Sequence, residues 1–262
     1  MKSLNVEDLR LLFNCYSPLK TNKQLIDHYN QISQSSFDSN MNIRDQYNKE
    51  ILKDFLNEAV IKAAFVEKFS FKESKSSTVT VFELNTGTSR ADICMLNGKS
   101  MVFEIKTEYD TFYRLGRQIA DYKKAYQYLN LIIPQSKLNE AKKITDDTIG
   151  IITYTKIKGK ITFSTDRDPI FNQSYDSLFQ LRQLTKKQLT SILCTPEISK
   201  DEMIKRIIES HTKDQINRYF IDLMKEKYQE RWLYLYENRN IIKPLDYQWF
   251  FKNNISVEAV YS

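Results

Sequence analysis

Two carboxylates and a lysine stand where metal-assisted chemistry could be carried out. Asp92 lies in the run Ala91-Asp92-Ile93-Cys94-Met95-Leu96, and Glu104 and Lys106 lie in Ser100-Met101-Val102-Phe103-Glu104-Ile105-Lys106. Both runs read as strands. Residues two apart in a strand share a face, so Glu104 and Lys106 project together. Carboxylate oxygens are the hard ligands that Mg²⁺ prefers, alongside water and substrate phosphate. The peptide carbonyl of Ile105 offers one more oxygen. Lys106 could orient or deprotonate a metal-bound water, or offset charge on a phosphate. Phe103 and Ile105 flank Glu104, and Ala91 and Ile93 flank Asp92. Charges in such surroundings are costly unless paired or metal-bound, and an Asp92–Lys106 ion pair is the plain structural alternative.

Whether Asp92 joins the other two depends on the turn between the strands. Asn97-Gly98 is a strong hairpin signal, because both positions tolerate positive φ. A two-residue loop sets Asp92 opposite Phe103 and turns Glu104 to the other face. A three-residue loop, Asn97-Gly98-Lys99, sets Asp92 opposite Glu104. A site needs the longer loop or a bulge.

Further along, Arg114, Gln118 and Tyr122 recur at i, i+4 and i+8 and form one polar stripe on a helix. Gln118 and Tyr122 could hydrogen-bond a phosphate or hold the lysine. Arg114 could bind a phosphate oxygen.

The elements that must position these residues follow from periodicity. Val6 to Phe13 and Asn22 to Ile32 are short amphipathic helices. Ile43 to about Phe69 reads as one helix, with Leu52, Phe55, Leu56, Ala59, Ala63 and Val66 on one face. Thr78 to Leu84, Ala91 to Leu96 and Ser100 to Lys106 form an antiparallel three-strand meander. A helix capped by Asp110 or Thr111 runs from about Phe112 to Leu129. Leu129 to Ile133 is a buried strand, and Ile149 to Tyr154 and Lys160 to Phe163 are two more around Lys158-Gly159. From about Ser174 the pattern is helical, with Met203 to Tyr236 the longest periodic segment. The aromatic residues Trp232, Tyr234, Tyr236, Tyr247, Trp249, Phe250 and Phe251 fit a packed helical pair, with base stacking as the functional alternative.

Composition closes off other chemistries. The chain has 262 residues, only two histidines, His28 and His211, and three widely spaced cysteines, Cys15, Cys94 and Cys194. No HExxH helix, three-His zinc centre or CxxC pair can be built from them. Cys94 shares a face with Asp92 and reads as a core thiol. Unpaired cysteines fit a reducing cytoplasm. No apolar run approaches the roughly 20 residues that span a bilayer, and Met1-Lys2-Ser3-Leu4-Asn5 leads into charge rather than a signal core. A net charge of +6 permits a polyanionic partner without requiring one.

Taken together, Asp92 with Glu104-Ile105-Lys106 resembles the motif of the PD-(D/E)XK nuclease superfamily, and Gln118 with Tyr122 resembles its QxxxY variant. The fuller run resembles the sce7726 family: Glu83, Gly87, Arg90-Ala91-Asp92-Ile93, Glu104 to Glu108, Asp110-Thr111, Arg114-Leu115, Gln118 and Tyr122. Thr148 to Ile151 and Leu181 to Leu184 fit its downstream pattern more loosely, so the likeness covers residues 80–195. The resemblance implies an α/β, restriction-endonuclease-like core of helix, three-strand meander, helix and strand, with helical additions at both ends. On that basis residues 1–40 form an N-terminal helical extension, 41–165 the core and 166–262 a C-terminal helical region.

The same resemblance implies that Asp92 and Glu104 are metal ligands, with the Ile105 carbonyl, and that Lys106 is the catalytic lysine. Gln118 and Tyr122 become auxiliary catalytic residues. Glu83 and Arg90 match family positions and either pair with one another or, for Glu83, add a carboxylate. Members often add an acidic residue from the first helix, for which Glu50, Asp54 and Glu58 are candidates. Ala91 stands where the superfamily's name has proline. The expected activity is Mg²⁺- or Mn²⁺-dependent hydrolysis of phosphodiester bonds, in DNA first and RNA second. A nuclease-fold module that binds DNA or protein without turnover is the alternative. The expected partner is nucleic acid, with no membrane and with a homodimer left open.

Overall fold

A computed structural model describes residues 4–157, 159–194 and 198–261. Helices α1 (Val6–Cys15), α2 (Asn22–Ser33) and α3 (Ile43–Asp54) come first. Asn5 with Asp8, and Thr21 with Gln24, close capping boxes that satisfy the first amide groups of α1 and α2. Leu9, Leu12, Leu25, Tyr29, Ile43, Tyr47, Ile51 and Phe55 share one apolar cluster. The expected boundary at residue 40 falls inside this bundle, because α3 supplies a third of its core.

The single helix expected over residues 43–69 is two helices. It ends at Asp54, and α4 (Glu58–Phe65) starts afresh. Asn57 causes the break. Its side chain accepts the Val60 amide, the role Asn prefers just before a helix. A π-helical turn over Val66–Ser70 follows. The break lets Phe55 pack into the N-terminal bundle while α4 turns onto the sheet.

The sheet holds six strands in sequence order: β1 (Val79–Thr86), β2 (Ser89–Leu96), β3 (Ser100–Ile105), β4 (Tyr128–Pro134), β5 (Gly150–Ile157) and β6 (Lys160–Arg167). The first three form the antiparallel meander, β3, β4 and β5 run parallel, and β6 returns antiparallel. Parallel neighbours need crossovers. These are α5 (Leu115–Ala125) and α6 (Leu138–Ile144). Lys158, expected in the turn before β6, lies outside the described residues.

Leu96 pairs with Ser100 and Ile93 with Phe103, so the connection is the three-residue loop Asn97-Gly98-Lys99. Gly98 takes φ +81°, which a residue lacking Cβ adopts without strain. This register sets Asp92 opposite Glu104. Successive β3 residues face opposite sides. Phe103 meets Phe65 of α4 and Glu104 meets Tyr122 of α5. The two helices therefore cover opposite faces.

Helix α5 is shorter than expected at both ends. Asp110 does not cap it; its carboxylate accepts the amide and hydroxyl of Thr107, folding the chain after β3 into its own turn. At the other end Tyr126 is already extended, and β4 starts at Tyr128. In the parallel layer, Gly150 starts β5 against Asn130 and Pro169. A Cβ added there would collide with the Asn130 side chain and lie 2.9 Å from Pro169 Cδ and 3.0 Å from its backbone nitrogen. Gly150→Ala is expected to destabilise the fold by about 1–3 kcal/mol, the usual cost of overpacking. A fall in urea midpoint at unchanged m-value checks this.

Helices α7 (Ser177–Gln183), α8 (Lys186–Leu193), α9 (Lys200–Ser210), α10 (Lys213–Asn238), α11 (Tyr247–Asn253) and α12 (Val257–Tyr261) complete the chain. The periodic helical segment read over 203–236 is divided where Thr212 forms a capping box with Gln215 and starts α10. Trp232, Phe250 and Phe251 are buried in the main core, and Phe82 of β1 meets Phe251. These rings pack the helical layer onto the sheet. The molecule is a mixed α/β protein, and no helix among the described residues is long and apolar enough to cross a membrane.

Candidate active site

Glu104 sits near the end of β3 with a side chain only 6% exposed, and every one of its oxygens is engaged. Its Oε1 accepts from Lys106 Nζ at 2.6 Å and from Gln118 Nε2 at 2.5 Å. Lys106 Nζ also donates to Gln118 Oε1 at 3.0 Å, closing a ring of three side chains. Tyr122 presents its hydroxyl to Glu104 Oε2 at 2.7 Å and to the Arg90 carbonyl at 2.9 Å. Burial and the adjacent Glu104 charge push the Tyr122 phenol up, so it stays a donor. The four-residue spacing of Gln118 and Tyr122 on α5 puts both donors over one strand end.

Asp92 faces this ring across the meander. Its Oδ2 accepts the Ile105 amide at 2.7 Å, so the residue whose carbonyl was expected to bind metal also anchors a carboxylate. Burial and the neighbouring Glu104 push the Asp92 carboxyl well above its ordinary range, against the pull of Lys62. Two buried carboxylates side by side favour a cation between them.

Lys62, on α4, is the residue that sequence reasoning missed. Its side chain is 2% exposed and its ammonium contacts Glu58 at 2.5 Å, Asp92 at 3.3 Å, and Glu83. Burial alone would lower its pKa, but Asp92, Glu58 and Glu83 outweigh that and raise it, so the ammonium stays charged. The signal was present in Val60-Ile61-Lys62-Ala63, a lysine inside an apolar run and four residues after Glu58. Glu83 also pairs with Arg90 Nε at 2.5 Å, so Glu83 and Arg90 do pair. Glu83 holds φ +54°, a left-handed backbone unusual for a residue with a side chain.

Of the three acidic candidates on the first helix, only Glu58 reaches the site. Glu50 accepts from Gln46, and Asp54 pairs with Lys156. Among the described residues, oxygens of Glu58, Glu83 and Asp92 converge to within 4.8 Å of one another. Glu104 is not in that set. The Lys62 ammonium already occupies that set; Asp92, Glu104 and the Ile105 carbonyl offer oxygen alone, which fits a hard divalent cation better than zinc.

A recess of about 510 Å³ opens over Asp92, Glu104 and Lys106, with Arg90, Arg114 and Arg117 among its lining. Arg114 stands at the start of α5, as its place in the polar stripe suggested. Arg117 is an addition, held by Thr88 Oγ1 at 3.0 Å. The site thus combines an acidic floor with an arginine rim, the order of charges that a metal and a phosphodiester would each need.

The family model for bacteriophage P4 protein cII matches residues 52–249. Protein cII of Enterobacteria phage P4 is 21% identical over 182 residues, which is 68% of this chain and 60% of that protein. The chain therefore spans about three fifths of the phage protein's length. Among solved structures, a protein of unknown function from Silicibacter pomeroyi, SPO1766, aligns at 13% identity and a TM-score of 0.31 over 53% of this chain and 86% of its own. The matched span takes in all the site residues from Glu58 to Tyr122 and most of the C-terminal helices, and on that span the chain belongs to the bacteriophage P4 protein cII family.

Proposed function

We propose that the protein is a Mg²⁺- or Mn²⁺-dependent nuclease that hydrolyses phosphodiester bonds in DNA, on a restriction-endonuclease-like core of the PD-(D/E)XK type with sce7726-like motifs. The observation that carries this reading is the Glu104–Lys106–Gln118 ring facing Asp92 beneath an arginine rim. Asp92 and Glu104, with the Ile105 carbonyl, would hold the ion. A bound divalent ion lowers the pKa of its water and offsets charge on the phosphate. The chain's own groups do the rest. Lys106 Nζ orients the attacking water, or, having first released a proton to solvent, takes one from it. Gln118 and Tyr122 fix Lys106 and Glu104 in that geometry. Arg114 and Arg117 bind phosphate oxygens and align the backbone for in-line attack.

A second reading draws on Lys62. An ammonium already contacts Glu58, Glu83 and Asp92, as it would in a nuclease-fold module that binds DNA without cutting it. Cleavage of supercoiled plasmid, single-stranded DNA and RNA, with Mg²⁺, with Mn²⁺ and with excess EDTA, separates the two. EDTA-sensitive cutting of DNA is expected. DNA binding with no cutting in either metal would hand the case to the second reading, and cutting confined to RNA would move the substrate to that class.

A further inference from the structure

We infer that Lys62 is the resident cation of the Glu58, Glu83 and Asp92 cluster and holds that cluster closed to a divalent ion. The inference rests on the nuclease reading only for the ion assigned to Asp92 and Glu104. Three acidic oxygens from α4, β1 and β2 converge within 4.8 Å, close enough to share one small cation. The Lys62 ammonium contacts all three residues. It also lies 3.4 Å from Gln248 Oε1 of α11.

Nothing in the surroundings suggests that Lys62 moves aside. Its own side chain is 2% exposed, and its ammonium is held by three carboxylates and Gln248, of which Glu58 opens to solvent. Glu83 keeps a left-handed backbone and presents one carboxylate oxygen to Lys62 and the other to Arg90. A strained residue whose side chain completes a charge cluster marks an arrangement that the surrounding fold enforces.

Charge points the same way. Among the groups in direct ion-pair contact, four carboxylates (Glu58, Glu83, Asp92 and Glu104) meet three cations (Lys62, Lys106 and Arg90), a formal deficit of one positive charge at the floor of the site, beneath the Arg114 and Arg117 rim. One divalent ion more than fills that deficit. A second, placed about 4 Å away as in two-metal nucleases, would compete directly with the ammonium. Lys62 therefore supplies a fixed, non-exchangeable charge where a second ion would sit. It acts as a positioning residue, without contact to the reacting atoms.

Calorimetric titration of Mn²⁺ into the full chain, without nucleic acid, tests this. Wild type is expected to bind one ion, and Lys62→Gln to bind one more than wild type. An unchanged count in Lys62→Gln overturns the inference and leaves the nuclease reading standing. No ion in wild type with one gained in Lys62→Gln overturns the nuclease reading and leaves the inference standing. Should Lys62→Gln not fold, Lys62→Met is titrated in its place with the same expected and overturning counts, and two ions per wild-type chain overturn the inference in either case. Glu58→Gln adds a further arm, since its side chain is half exposed and tolerates change. It is expected to alter wild-type Mn²⁺ affinity by less than threefold, and a loss of tenfold or more would place Glu58 on the ion and refute the assignment.

Discussion

Lys106→Met is expected to lower metal-dependent DNA cleavage by roughly 10²–10⁴-fold, the range that a positioned proton-transfer group commonly contributes. The side chain is 10% exposed and its ammonium is bound on two sides, by Glu104 Oε1 and by Gln118 Oε1. Methionine keeps most of the stem and removes the charge. Glu104 then retains Gln118 and Tyr122, so the strand end should hold its shape. Single-turnover nicking of supercoiled plasmid measures the rate, and fluorescence anisotropy on an uncut oligonucleotide in Ca²⁺ measures binding. A rate loss with binding within threefold of wild type is the expected pair of results. Gln118→Ala should lose less, because it frees Lys106 without deleting it. Cleavage by Lys106→Met within tenfold of wild type would refute the role given to this lysine.

The chain fixes this lysine and its partners locally, which is why they could be read from sequence. Glu104 and Lys106 are two apart in one strand, and Gln118 and Tyr122 are four apart in one helix; a period alone places each pair on a face. The loop between β2 and β3 could not be read so directly. Asn97-Gly98 suits a two-residue turn as well as the three-residue one that forms, and only the pairing of Leu96 with Ser100 brings Asp92 opposite Glu104. Lys62 was only half legible: its apolar run and Glu58 one helical turn before it were in view, but not the rest of its cluster. Its carboxylate partners on β1 and β2 lie 21 and 30 residues away, where no helical or strand period reaches. The break at Asn57 concealed it further, since Leu52, Phe55, Leu56, Ala59 and Ala63 keep an apolar rhythm through the break. Periodicity reports which face is apolar and does not report that a chain has turned a corner. The same limit hid the start of α10 at Thr212.

The other large effect lies far from the site, in a carboxylate that ties the two ends of the chain together. Asp246 is fully buried, with Oδ2 accepting from Tyr16 at 2.9 Å and from Tyr261 at 2.5 Å. Among the described residues its Oδ1 has no hydrogen-bond partner. Burial pushes the carboxyl up to about 6, even though both tyrosines, Arg44 and Lys243 pull the other way. An unfolded chain would titrate it near 3.8. The folded value lies above the unfolded one, so the folded state holds the proton more tightly. Its contribution is fully present below about pH 3.8 and is lost as pH rises through about 6. The gap corresponds to about 3 kcal/mol.

Asp246→Asn removes the titration and keeps an oxygen for the tyrosines. The amide nitrogen would stand where Oδ1 now lacks a partner, a penalty that does not vary with pH. The slope of the difference is therefore the readout, not its offset. Urea unfolding of both proteins from pH 4 to pH 7.5 should show wild type losing about 2.5 kcal/mol relative to Asp246→Asn across that range. Curves that stay parallel would show that Asp246 is ionised in the folded state throughout. Asp246 immediately precedes α11, which packs Phe251 on β1 and brings Gln248 to Lys62. Ionising it should therefore loosen the C-terminal cover of the carboxylate cluster first. Hydrogen exchange in α11 should rise between pH 4 and 7 beyond the intrinsic rate in wild type, and not in Asp246→Asn.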